Sequence, residues 1–153
     1  MRVLFDTNVV LDVLLAREPH VRRAAQLMSL VDAGRLDGVV SATTVTTIHC
    51  IATKSIGCER AGRQLRELLA IFDVVAVDRD ILLDALALDF TDYEDAVLHE
   101  TARTSSAAAI VTRNSKDFGK ATVPVFTPPE LLAAVIASSG AQRLESMARD
   151  QPQ

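Results

Sequence analysis

The feature that most constrains this chain is a set of short, mostly apolar segments. Val3-Leu4-Phe5 opens it, and Gly38-Val39-Val40-Ser41, Phe72 to Val77, Ala107 to Thr112 and Val123 to Phe126 follow. The first, Val3-Leu4-Phe5, is apolar at every position rather than at every second one, which fits a strand covered on both faces, as in a parallel sheet, and the others are further strand candidates. Between the runs the spacing turns helical over Val9–Ala16, Val21–Val31, Cys58–Ile71, the stretch from Asp78 to Leu88, and the stretch from Asp92 to about Thr104. Gly34 stands where a helix C-terminal cap belongs, and Asp78 where an N-cap belongs. Thr91-Asp92-Tyr93-Glu94 matches a capping box, Thr followed three residues later by Glu. Thr127-Pro128-Pro129-Glu130 opens a last helix with Pro at its first position. Thr43 to Ala52 is rich in β-branched residues, so helix and strand both remain open there.

Strands therefore alternate with helices, which predicts a three-layer α/β/α sandwich around a mainly parallel sheet of five strands. The 153 residues suit one domain. Residues 1–138 form that domain in this reading, with Ser138-Ser139-Gly140 closing the last helix and 139–153 left as a polar, frayed tail.

Composition removes several classes of function. Hydrophobic residues make up 49% of the chain, which argues against disorder. Cys50 and Cys58 are its two cysteines, too few for a disulfide scaffold and without a zinc or redox spacing, so they are expected to act as small buried hydrophobes. No apolar run reaches the roughly 18 residues of a membrane span. Arg2 followed by Asp6 lacks the pattern of a signal peptide, so the expected location is cytoplasmic.

The net charge of −4 is an average of unlike parts. The window from Asp73 to Glu100 holds nine acids against Arg79 alone, a net −8, which leaves +4 for the rest.

Ligands of open α/β sheets bind beyond the carboxyl ends of the strands. Asp6 follows the first run, Ser41 the second, and Thr112, Arg113, Asn114 and Asp117 the fourth. Asp92 and Asp95, three apart at a helix start, share a face. A first-turn acid is commonly just a complement to the helix dipole. That does not explain Asp6, whose burial beside an apolar strand is costly without a partner. Carboxylates gathered at one point persist if a cation neutralises them, and oxygen-only ligands suit Mg²⁺ or Mn²⁺. Such an ion commonly serves phosphoryl transfer or phosphodiester hydrolysis. A structural acid cluster is the competing account.

Three motifs in order carry a resemblance. Leu4-Phe5-Asp6-Thr7-Asn8-Val9-Val10-Leu11-Asp12, Asp92-Tyr93-Glu94-Asp95-Ala96, and Val111-Thr112-Arg113-Asn114-Ser115-Lys116-Asp117-Phe118 resemble the opening, central and late motifs of PIN-domain proteins. Arg17-Glu18-Pro19 is similar to an Arg-x-Pro found in one branch of the family. The likeness runs from about Arg2 to Leu132. It implies a PIN-like α/β/α fold and a Mg²⁺- or Mn²⁺-dependent ribonuclease, with many relatives being VapC-type toxins of toxin–antitoxin pairs. By the same likeness Asp6, Asp95 and Asp117 are metal-binding acids, Asp92 is an extra catalytic acid, and Asn8, Thr112 and Asn114 are supporting polar residues. The product would carry a 5′-phosphate, and the expected partners are RNA, a cognate antitoxin and a second copy of the chain. One departure stands out: Thr47 occupies a position where many members have Glu. Either Asp92 replaces the missing carboxylate, or the chain is a degenerate PIN-like module that binds RNA or protein without cutting.

Arg60, Arg63 and Arg66 form a stripe three residues apart that could hold an RNA backbone, with Arg113 as a further candidate. A solvated helix face explains the stripe equally well. His99 could line the site, although packing is the commoner use for such a histidine. Asp12 is either just behind Asp6 or an exposed helix acid, and its place one and a half turns beyond Asp6 favours the first. An aspartyl phosphatase is disfavoured because Asn8 stands where the second acid of Asp-x-Asp belongs. The Leu131–Ile136 stretch could supply an apolar interface or core.

Overall fold

The computed structural model describes the backbone of residues 1–149 and the side chains of 1–139. The five strands are β1 (Arg2–Phe5), β2 (Asp37–Ser41), β3 (Asp73–Val75), β4 (Ala109–Val111) and β5 (Val125–Phe126). They pair in the order β3-β2-β1-β4-β5, and every pairing is parallel. Val3 stands beside both Gly38 and Ala109, so β1 lies at the centre.

Alternation along the central strands assigns the two faces. Val3, Phe5, Val40, Ala109 and Val111 point to one side. There they meet α1 (Thr7–Leu14), α2 (Val21–Asp32), α3 (Ala42–Ile56), α4 (Cys58–Ile71) and α7 (Pro128–Arg149). Leu4, Val39 and Ile110 point to the other side, onto Leu98 and Ala102 of α6 (Tyr93–Thr104). The short α5 (Arg79–Ala87) packs Ile81 and Ala85 against Ala96 and Val97 of α6. Gly38 permits the close packing at β2. A Cβ there would lie 2.7 Å from Val31 and 2.8 Å from the Phe72 ring.

The ambiguous Thr43–Ala52 segment is helix. Thr44, Ile48 and Ala52 stand four apart and are buried, and Ser41 caps the start by accepting from the Thr43 amide. The burial of that stripe outweighs the β-branched propensity. Gly34 adopts φ 66° beyond α2, as its capping position requires. Asp78 accepts from the amides of Asp80 and Ile81, as expected.

Some sequence expectations give way. The box around Thr91 is displaced by one residue: Asp92 is the N-cap of α6, accepting from the Glu94 amide at 2.7 Å. Asp92 therefore precedes the helix that carries Asp95. The polar loop after β4 contains a 3₁₀ turn, Ser115–Phe118. The final helix does not close at Ser138-Ser139-Gly140 but continues to Arg149. Of the tail expected at 139–153, residues 150–153 lie outside the described residues. Leu131, Leu132 and Val135 join the core, leaving Ile136 as the exposed large apolar residue of that stretch. Cys50 and Cys58 are exposed, not buried. Among the described residues no helix is long and apolar enough to cross a membrane.

Candidate metal and catalytic cleft

The strand order reverses at β1. From it the chain builds outward through β2 to β3, then returns on the other side as β4. The crevice beyond the carboxyl ends of β1 and β4 is the switch point where an open parallel sheet binds ligands. Asp6 ends β1 there, and its amide donates to the Val111 carbonyl at 3.0 Å, extending the ladder by one residue.

Asp6 is buried, and its carboxylate is held by two donors. Thr112 Oγ1 donates to Oδ2 at 2.7 Å, and Asn8 Nδ2 donates to the same oxygen at 2.6 Å. The Thr112 hydroxyl in turn accepts from Asn8 Nδ2 at 3.2 Å and from the Asn114 amide at 3.0 Å. One proton given and two lone pairs filled use the whole capacity of that hydroxyl. Asn8 Oδ1 accepts from the Arg113 amide at 3.1 Å, which fixes the orientation of its side-chain amide. Asn8 and Thr112 thus act on Asp6 directly, whereas Asn114 contributes through its backbone. Burial pushes the Asp6 carboxyl up, while the Thr112 hydroxyl and the backbone of Thr7 and Asn8 oppose this and Glu94 adds to it.

The cleft in front of Asp6 has a volume of about 320 Å³, and Asp92, Glu94, Asp95 and Asp117 all line it. Asp95 sits half-buried in the first turn of α6. Burial, then repulsion from Asp6, Asp92, Asp117 and Glu94, raises its carboxyl from 3.8 to about 7. Asp117 comes from the 3₁₀ turn and is exposed. The four acids singled out in the sequence therefore face one cleft. Among the described residues no three His, Cys, Asp or Glu side chains close around one point as finished metal ligands would. The donor chemistry nevertheless fits a hard divalent cation. The donors are all oxygens, they repel one another, and burial together with that repulsion raises the carboxyl of Asp95 to about 7.

Thr47 and Ile51 of α3 also reach the cleft, so the Thr at the departure from the family pattern is a wall of it. Two lining residues had no role in the sequence reading. Glu94 lies within the central motif, hidden there by its helix-capping explanation. Arg17 comes from the turn after α1 and is the cation of the lining.

The arginine expectations separate. Arg60, Arg63 and Arg66 are exposed on α4 and do not line the cleft, and Arg63 is paired with Glu59 at 2.6 Å. Arg113 turns to Asp12, with Nε 3.3 Å from Oδ2. Asp12 is fully buried, one helix turn and a half beyond Asp6. Burial raises its carboxyl, against the pull of Arg113, His20 and Arg17. His99 is buried away from the cleft lining, with its ring hydrogen-bonded to Glu100 and Thr122.

A 3-2-1-4-5 parallel sheet with carboxylates at its switch point defines a class, the acid-lined α/β/α domains of PIN-like architecture. Residues 2–116 match the PIN domain family profile, and the chain belongs to that family. It is similar to ribonuclease VapC1 of Aquifex aeolicus (strain VF5), 23% identical over 134 residues that span 84% of this chain and 92% of that one. It superposes on a chain of a toxin–antitoxin complex from Klebsiella pneumoniae with a TM-score of 0.63 and 28% identity, covering 82% of this chain and 97% of that one. VapBC2 from Rickettsia felis, bound to a DNA fragment from its promoter, superposes with a TM-score of 0.64 at 15% identity, covering 83% and 98%. At that identity the likeness is one of fold.

Proposed function

We propose that the protein is a Mg²⁺- or Mn²⁺-dependent endoribonuclease, and that it is the cytoplasmic toxin of a toxin–antitoxin pair. The observation that carries this reading is the convergence of Asp6, Asp92, Asp95 and Asp117 on one cleft at the switch point. The similarity to a ribonuclease and to a chain of a toxin–antitoxin complex supports the substrate class and the antitoxin partner. A homodimer is part of the same proposal. The exposed Leu82, Leu83 and Leu86 of α5 offer apolar surface for it.

Asp6, Asp95 and Asp117 would hold the cation. When bound, it lowers the pKa of a coordinated water and offsets charge on the phosphate. Asn8 and Thr112 keep Asp6 aimed into the cleft. Asp92 commits one oxygen to the Glu94 amide, and its second oxygen is the candidate to orient or deprotonate the attacking water. Asp92 stands in for the carboxylate that Thr47 cannot supply, and Glu94 is a further acid of the same lining. Arg17 is placed to meet a phosphate at the cleft, while Arg60, Arg63 and Arg66 lie further along the surface.

The test is Asp6→Asn. It should abolish metal-dependent RNA cleavage and leave the fold intact by circular dichroism; full activity would overturn the assignment. A second reading, a degenerate binding module, is favoured by Thr47 standing in the cleft wall. Calorimetry showing no Mn²⁺ uptake at millimolar metal would select it.

A further inference from the structure

We infer that His99 is a positioning residue, accepting the Thr122 amide proton and so fixing the segment that carries Asp117 against the helix that carries Asp95. The inference rests on the reading of the cleft as a metal site. His99 lies one turn beyond Asp95 on α6 and is 2% exposed. Its Nε2 is 3.0 Å from the Thr122 amide nitrogen and 3.0 Å from Thr122 Oγ1. A backbone N–H can only donate, so Nε2 must present its lone pair and the ring proton sits on Nδ1. Nδ1 faces Glu100 Oε1 at 3.1 Å, which suits that tautomer. Burial alone would raise the Glu100 carboxyl, but Arg103 and His99 hold it below its ordinary value. Every polar atom of the imidazole is thus occupied by a partner that fixes its role.

Thr122 belongs to the connection between β4 and β5, which also carries Asp117. That connection has one 3₁₀ turn as its regular structure. Besides the Lys120–Asp89 ion pair and the packing of Ala121 and Val123 in the cluster of Leu98 and Ala102, two anchors that involve His99 join it to the layer of α6. Phe118, directly after Asp117, is buried with its ring 6.0 Å from Phe90. Phe90 in turn lies 5.4 Å from the His99 ring. His99 thus packs against the support of the first anchor and forms the second through Thr122. The spacing between Asp95 and Asp117 is set by how these two pieces of chain are held together, because neither acid belongs to the same element as the other.

The experiment uses the full chain and Mn²⁺ alone as probe, followed by calorimetry and by the electron-spin signal of free Mn²⁺. His99→Leu fills similar volume but removes the acceptor. His99→Gln restores an acceptor near the place of Nε2. His99→Leu should weaken Mn²⁺ binding on the order of 10-fold, the lower end of what loss of a group bonded directly to a ligand costs, and His99→Gln should recover most of it. Amide exchange at Thr122 should be slow in the wild type and fast in His99→Leu. Unchanged Mn²⁺ affinity in a folded His99→Leu overturns the inference. So does a ¹⁵N spectrum of the wild type that places the imidazole proton on Nε2, a measurement that decides the matter even if the variant fails to fold. Absence of any Mn²⁺ uptake by the wild type that Asp6→Asn abolishes would instead remove the metal site itself.

Discussion

Replacing Asp95 by Asn should make the metal-free protein more stable while removing its activity. Asp95 is half-buried among four other carboxylates, and its own carboxyl is raised from 3.8 to about 7. At about 1.36 kcal/mol per pKa unit, that rise corresponds to about 4 kcal/mol of cost to the folded, ionised form. Solvent screening at this half-buried position reduces it to about 2 kcal/mol. The sign follows from proton linkage. The folded pKa lies above the unfolded one, so the folded state binds the extra proton between them. The wild type therefore loses stability as pH rises from about 4 to about 7, and the loss is complete above that. Asp95→Asn lacks this loss. It should match the wild type near pH 4 and exceed it at pH 8 by about 2 kcal/mol, or roughly 4–8 °C in Tm for a chain of this size. The assay is thermal unfolding at both pH values in chelator, repeated with Mn²⁺. Added Mn²⁺ should raise the wild-type Tm and leave the variant's unchanged. A variant that is equal or less stable than the wild type at pH 8 in chelator would refute the account of burial and mutual repulsion at Asp95.

Thr112→Val keeps the shape of the side chain but strips a donor from Asp6 and an acceptor from the Asn114 amide and Asn8; a loss of about 1–3 kcal/mol is expected by urea denaturation, with metal-dependent cleavage starting at higher pH because Asp6 becomes harder to ionise. Arg113→Ala leaves the buried Asp12 without its nearest cation, so denaturation should show a loss of about 3–5 kcal/mol; unchanged stability together with weakened RNA binding would return Arg113 to the nucleic-acid surface. Charge reversal of Arg60, Arg63 and Arg66 together should weaken RNA binding and flatten its salt dependence in a titration over ionic strength, and no change in either would leave the stripe as a solvated helix face.

The alternation of strand and helix segments determined the parallel sheet, and the unbroken run Val3-Leu4-Phe5 marked the strand covered on both faces, whereas β3, with Asp73 and Val74 exposed, is an edge strand. The same logic located the strand ends, and with them Asp6, Thr112 and Asn114. Capping chemistry was legible where the cap is local, as at Asp78 and Gly34. It misled at Thr91 because two neighbouring residues can both cap, and the choice between them depends on how α6 packs. The Thr43–Ala52 segment was undecidable from propensity; the neighbours that bury Thr44, Ile48 and Ala52 made it helix. Asp6, Asp92, Asp95 and Asp117 are named by motif in the sequence, but their common cleft exists only because β1, β4 and α6 meet at the switch point. Glu94 and Arg17 could not be read as lining residues, since each has a sufficient local explanation, a helix start and a turn. Arg113 shows the limit most clearly: its charge was plain from the sequence, and only the buried carboxylate of Asp12, one and a half turns along α1 from the cleft, decided where it points.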